Sequence, residues 1–373
     1  MRSDHSGKLN RRTVLKAAGG AGAAMLTAGV APTFLYAQDR AGSNEALVGT
    51  GEHTYRCIHD WGVRSLPDGH TYGNTMGTHG VAIDSQGLIY ISHYGNPGSI
   101  FVFDPQGKFV KAMGDIHRTH DGRSGAGHGI EIRKEGGEEF LYLAPSESHL
   151  PFTKMSVKGE VVWNKSKADI HKDSGKYPDS ADGKPAPYRP TNISFNPDGG
   201  YFLGDGYGSN YIHQYDKNDN YIRTIGGTGQ AQGLFRTPHG QWLDDRDGTP
   251  KMVVADRANA RLQWFDMAGN HLKTLDGFLF PADIDRHKDL LVVPDLHARV
   301  TLLDKNNQVI AHLGDDPEWR KQALEGFKMR GQRDRWQPGK FIHPHDARFD
   351  SQGNIYIAEW VVTGRVTKLE KVG

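Results

Sequence analysis

The chain reads as an all-β protein, a six-bladed β-propeller, and three observations predict that class. A short phrase recurs six times: Thr78-His79-Gly80, Gly127-His128-Gly129, Pro190-Thr191-Asn192, Pro238-His239-Gly240, Pro281-Ala282-Asp283 and Pro344-His345-Asp346. Each copy opens a similar series of short strands and tight turns. The copies lie between 44 residues apart (His239 to Asp283) and 64 residues apart (His128 to Asn192). Four short strands per unit of that period make one propeller blade.

Taken in order, residues 1–37 read as a twin-arginine signal peptide. Asn10-Arg11-Arg12-Thr13-Val14-Leu15-Lys16 carries the paired arginines, an Ala/Gly-rich stretch runs from Ala17 to about Val30, and cleavage after Ala37 fits. The apolar stretch is too short and glycine-rich for a membrane span. The mature protein is therefore expected to be periplasmic or secreted, with the twin-arginine export machinery as its partner in transit. Residues 38–53 read as a flexible leader and 54–373 as the propeller.

In the first repeat, Gly80 to Asp84, Leu88 to His93, Ser99 to Asp104 and Lys108 to Gly114 are the four strands, joined by turns such as Ser85-Gln86-Gly87. Asn196-Pro197-Asp198-Gly199 and Asp350-Ser351-Gln352-Gly353 repeat that turn chemistry. The last repeat has only three strands before the chain ends. The segment Tyr55 to Gly62 resembles the fourth strands elsewhere, so it is expected to complete the last blade and close the ring, removing open sheet edges.

In an up-and-down blade the tight turns share one face, and the long connections share the other with the repeated phrase. Those connections are residues 115–127, 164–189 and 315–341. The second reads as a mobile loop, and the third contains a short helix at 317–325. Function belongs on this decorated face.

Innermost strands line the central channel, so the repeated slot brings His79, His128, Asn192, His239, Asp283 and His345 together. His128, His239 and His345 come from alternate blades in a near-threefold arrangement. Three neutral imidazoles and an open position suit catalytic Zn2+ or another divalent transition metal. His79, in the same slot, is a candidate fourth ligand. The ends of the second strands share this face. Tyr207 and Arg257 are placed to reach the metal, one as a base and the other as a carboxylate clamp. Asp205 and Asp256, just before them, read as caps of the following turns. His93, His149, His297 and Glu359 hold the equivalent rim positions.

Composition narrows the partners. A net charge of +1 over 373 residues does not suggest a nucleic-acid or membrane-surface partner, and Cys57, the single cysteine, excludes an intramolecular disulfide.

Gly204-Asp205-Gly206-Tyr207, Pro238-His239, the run Val254 to Phe265 and Pro344-His345-Asp346 resemble peptidyl-α-hydroxyglycine α-amidating lyase, a six-bladed propeller with NHL-type repeats. The likeness spans roughly residues 70–370. It implies that His128, His239 and His345 bind catalytic Zn2+. It also implies that Tyr207 takes the substrate hydroxyl proton and Arg257 holds an oxyanion or carboxylate. A structural Ca2+ would sit lower, on Asp346 and the carbonyls of Val81 and Ile130. This chain departs from the family at two substrate-facing positions. His93 replaces a second clamping arginine and His343 replaces a methionine, so both become substrate-binding candidates.

The expected activity is a secreted metal-dependent lyase. It would split the C–N bond of an α-hydroxy amide into an amide and a 2-oxo acid, on a small molecule or short peptide bearing a carboxylate. Two other classes compete. One is a non-enzymatic propeller binding a ligand or protein. The other is a Ca2+-dependent lactonase-type hydrolase using Asn192, Asp283 and Glu359.

Overall fold

The structure, a computed structural model, describes residues 36–38, 44–178 and 186–372. The expected signal segment lies almost wholly outside the described residues. Six antiparallel sheets each run from an inner to an outer strand, as a six-bladed β-propeller requires. The inner strands are Thr78–Ile83, Gly129–Glu135, Ile193–Phe195, Pro238–Asp244, Asp285–His287 and Pro344–Phe349.

The turns form for a local reason. Asp84 Oδ1 accepts the backbone N–H groups of Gln86 and Leu88. Asp104, Asp216, Asp266, Asp304 and Asp350 repeat that two-bond pattern. The aspartate replaces missing backbone partners and reverses the chain. Side chains alternate along each strand, so both faces of a blade are apolar and pack on the neighbouring blades. Between the first two blades, Ala82, Tyr90, Val102, Ile130, Leu141 and Leu143 form one such buried layer.

The ring closes through the N-terminal segment. Tyr55–Ile58 pairs antiparallel with Arg365–Lys371, with Cys57 opposite Leu369. The leader departs from expectation, because Asn44–Val48 pairs with Tyr55–Ile58 and Tyr36–Gln38 pairs with Asn44–Val48 in turn. Ala46 and Val48 are buried in a layer with Leu313 and Phe341. Three apolar residues in five were enough to recruit this stretch as an extra strand. The connection at 164–189 is likewise more ordered than expected where described. Ser166 and Asp169 form a capping box for a helix, Lys167–Ser174. Pro317–Leu324 forms the expected second helix, capped by Asp316. Among the described residues no helix is long and apolar enough to cross a membrane.

Candidate metal centre

The phrase that opens each blade does two jobs at the channel mouth. His128 donates from Nδ1 to the carbonyl of Thr191 (2.9 Å), His239 to that of Ala282 (2.6 Å), and His345 to that of His79 (2.9 Å). Each imidazole is therefore tied to the slot of the next blade. A Cβ on Gly129 would lie 2.2 Å from the Thr191 carbonyl, and one on Gly240 would lie 2.2 Å from Asp283 Oδ1. Glycine after the histidine lets adjacent blades approach closely enough for those bonds. With Nδ1 carrying the proton, Nε2 presents a bare lone pair, and a backbone carbonyl fixes each ring's orientation.

The rings converge. His239 and His345 have centroids 4.6 Å apart, His128 and His345 4.8 Å, and His128 and His239 5.1 Å. His79 joins them, 4.7 Å from His345 and 5.1 Å from His128. One ligand atom from each of His79, His128 and His345 falls within 4.8 Å of the others. The expected threefold set is thus widened: His128 and His345 form a shared edge, with His79 beyond one side and His239 beyond the other. Burial keeps all four uncharged. It lowers His128 to about 3 and holds His79, His239 and His345 well below the usual imidazole range. His79 Nδ1 is buried without a hydrogen-bond partner. Four neutral imidazoles and an orphaned ring nitrogen are the donor set a borderline-soft divalent cation takes.

Tyr207 leans over this cluster. Its Oη lies 2.9 Å from His239 Nε2 and 3.4 Å from His128 Nε2, and it accepts an N–H from Arg257 Nη1 at 3.1 Å. Gly206 permits the approach, since a Cβ there would meet the Pro238 carbonyl at 2.0 Å. Arg257 lies over the rings of Tyr207 and Phe280, and its buried Nε has no partner.

The carboxylates that end the second strands are structural. Asp205 accepts the backbone N–H groups of Arg189 and Ser209, as a cap should. Asp256 receives Arg236 N–H and pairs with Arg261. Asp295 repeats the pattern with Leu279 and Phe280. Glu359 receives Ile342 N–H and is held by Arg365 through two 2.7 Å bonds. Glu359 is therefore committed to its ion pair, and the oxygen set expected of a lactonase is broken.

Two substrate candidates turn out to be fully buried. His93 accepts Gly95 N–H, and Phe101 covers its ring at a centroid distance of 3.9 Å. It fills the place the strand-end carboxylates hold in other blades. His343 donates from Nδ1 to Leu296 O (2.6 Å) beneath Phe327. Both are 0 % exposed, so neither reaches the surface of the channel mouth. His149 and His297 stand elsewhere on the rim, His297 stacked on Phe280.

Below the histidines lies a second layer that the repeated phrase only hinted at. Glu131, Asp283, Asp285 and Asp346 surround Arg348, which is 2.5 Å from Glu131, 3.5 Å from Asp283, 3.5 Å from Asp285 and 3.6 Å from Asp346. Burial pushes Glu131 up to about 8 despite the arginine, and raises Asp283 and Asp285. Asp346 Oδ2 accepts Val81 N–H, while the Val81 carbonyl accepts Arg348 Nε. That carbonyl, expected to face calcium, is thus engaged by a guanidinium. Ile130 lies in the second blade's inner strand with its side chain in the core. Asn192 donates to Asp283, and the buried Asn192 Oδ1 and Asp346 Oδ1 have no hydrogen-bond partner. No motif announced Arg348; its only signal was an arginine at an inward-facing position of an innermost strand.

No protein-family model and no curated protein matches the chain. Solved structures do. Virginiamycin B lyase from Staphylococcus aureus aligns over 85% of this chain and 100% of its own, with a TM-score of 0.52 at 12% identity. A second streptogramin B lyase structure aligns over 85% and 97%, with a TM-score of 0.51 at 10% identity. A Bacteroides thetaiotaomicron protein of unknown function covers 80% of this chain and 70% of its own, with a TM-score of 0.54 at 10% identity. The likeness is one of fold. It places the chain among six-bladed propellers, and the chemistry has to be argued from the side chains.

Proposed function

We propose that the protein is a metal-dependent lyase acting on an α-hydroxy amide that bears a carboxylate. The observation that carries this reading is the meeting of Tyr207 Oη with two imidazole Nε2 atoms and the Arg257 guanidinium. His128, His239 and His345, with His79 beside them, would hold a divalent transition metal. When bound, it would supply Lewis-acid polarisation of a substrate oxygen.

Tyr207 takes the proton of the substrate hydroxyl. Arg257 donates to the phenolic oxygen and so holds it over the imidazoles, and its remaining N–H groups would take the substrate carboxylate. As the O–H electrons close a carbonyl, the C–N bond breaks with its pair on nitrogen, and the amide leaves after regaining a proton. The hydroxyl carbon departs as a 2-oxo acid. Calcium, in this reading, would be held one layer down by Asp346, Asp283 and the Asn192 carbonyl, since Val81 O is engaged.

The test is glyoxylate release from N-benzoyl-α-hydroxyglycine by the metal-loaded protein. Wild type should release it. Tyr207→Phe should do so about 10²–10⁴-fold more slowly with its metal retained, the scale of losing a general base. Equal rates would remove Tyr207 from the chemistry.

A further inference from the structure

The mouth of the channel holds more positive charge than one carboxylate explains. Arg189, which no motif singled out, stands with Arg257 at the Tyr207 ring, their guanidinium carbons 5.7 and 5.0 Å from its centroid. Its position is built by blade three. The Arg189 backbone N–H donates to Asp205 Oδ1 at 2.6 Å, and its carbonyl accepts Tyr207 N–H at 3.2 Å. The side chain spends one donor, Nε, on the Ser146 carbonyl (2.8 Å). Its terminal nitrogens have no hydrogen-bond partner among the described residues.

A third arginine provides the contrast. Arg330 donates Nε to Trp360 O and Nη2 to Thr75 O, and lies 3.5 Å over the Trp360 ring. It is committed to holding the 315–341 connection in place. Arg189 and Arg257 are not so committed, and no acidic side chain pairs with either among the described residues. The carboxylates that end the second strands beside them, Asp205 and Asp256, are occupied by backbone N–H groups, and Asp256 by Arg261 as well. Arg257 is 7% exposed, so its charge is poorly screened and its orphaned Nε calls for an acceptor. Two guanidinium groups with free donors, neither in an ion pair among the described residues, are a site for two anionic groups.

We infer that the substrate is a dianion, with one acidic group on Arg257 and a second on Arg189. Arg189 is then a specificity-determining residue that selects diacids over monoacids. This inference rests on the lyase reading only for which molecule is turned over; the preference for diacids stands on the arginines alone.

Calorimetric titration of the metal-loaded protein with 2-hydroxy acids as probes tests it without turnover. Malate and 2-hydroxyglutarate, both dianions, should bind at least about tenfold more tightly than lactate, the gain of one added charge-assisted contact. Arg189→Met should remove that advantage and leave lactate affinity unchanged, and Arg189→Lys should restore part of it. Raising salt should shrink the diacid advantage, because Arg189 is solvent-facing. Equal binding of monoacids and diacids by wild type, or an undiminished diacid preference in Arg189→Met, overturns the inference. Failure of an α-hydroxy amide that bears two carboxylates to turn over, with the diacid preference intact, would instead count against the lyase chemistry.

Discussion

Two layers of one channel, equally buried, are set to opposite protonation states. The upper layer is four imidazoles that burial keeps neutral, three of them pinned by Nδ1 to backbone carbonyls. The lower layer is four carboxylates around Arg348, with Glu131 raised to about 8. Desolvation acts alike on both and drives each toward its uncharged form. An imidazole becomes neutral by losing its proton and exposes a lone pair. A carboxylic acid becomes neutral by gaining one and hides its charge. The upper layer is therefore ready for a transition metal, while the lower needs a cation or protons to be stable at all.

Removing the lower layer's cation should have the largest effect on stability. Arg348→Met leaves buried carboxylates without their partner, at a cost of about 3–5 kcal/mol in urea unfolding. Added calcium should recover part of that loss in the variant. A neutral outcome would show that protons alone balance the layer.

The opposite protonation states predict opposite pH slopes in the metal-free protein. His128 falls from about 6.5 unfolded to about 3 folded, so the unfolded chain takes the proton first and stability is lost as pH drops below 6.5. Glu131 rises from 4.5 to about 8, so the folded state holds the proton more tightly and stability is lost as pH climbs from 4.5 towards 8. Unfolding midpoints at pH 5, 6.5 and 8 check both. Glu131→Gln should flatten the decline between 6.5 and 8 and steepen the rise between 5 and 6.5, where the Glu131 and His128 slopes oppose each other. A decline unchanged by that substitution would assign it to Asp283 or Asp285.

A smaller effect should separate the imidazoles. His79 Nδ1 makes none of the 2.6–2.9 Å carbonyl bonds that pin the other three, so His79→Ala should weaken metal binding less than His239→Ala, read by competition with a chromophoric chelator. The reverse order would make His79, His128 and His345 the principal ligand set.

Much of this was legible in the chain. The repeated phrase fixed six blades, and the three-strand ending of the last one pointed to Tyr55 as the closing strand. The turn aspartates and glycines were readable because their chemistry is local. The histidine layer was readable because one position recurs in every repeat. What escaped depended on contacts between distant segments. His93 looked like a rim residue until its ring met Phe101, and Asn44–Val48 looked like a leader until Leu313 and Phe341 covered it. Arg348 and Arg189 carry no motif, and their roles follow from which carboxylates the fold brings near them and which it keeps away.

The central claim is that the upper layer is a transition-metal site and Tyr207 is not one of its ligands. Elemental analysis of protein purified without added metal tests it most directly. Wild type and Tyr207→Phe should each carry about one transition-metal ion per chain. His239→Ala should lose affinity by about a hundredfold or more, beyond the 10–100-fold scale for losing even an outer hydrogen-bond partner. Stoichiometric transition metal in folded His239→Ala, or none in wild type, would contradict the account.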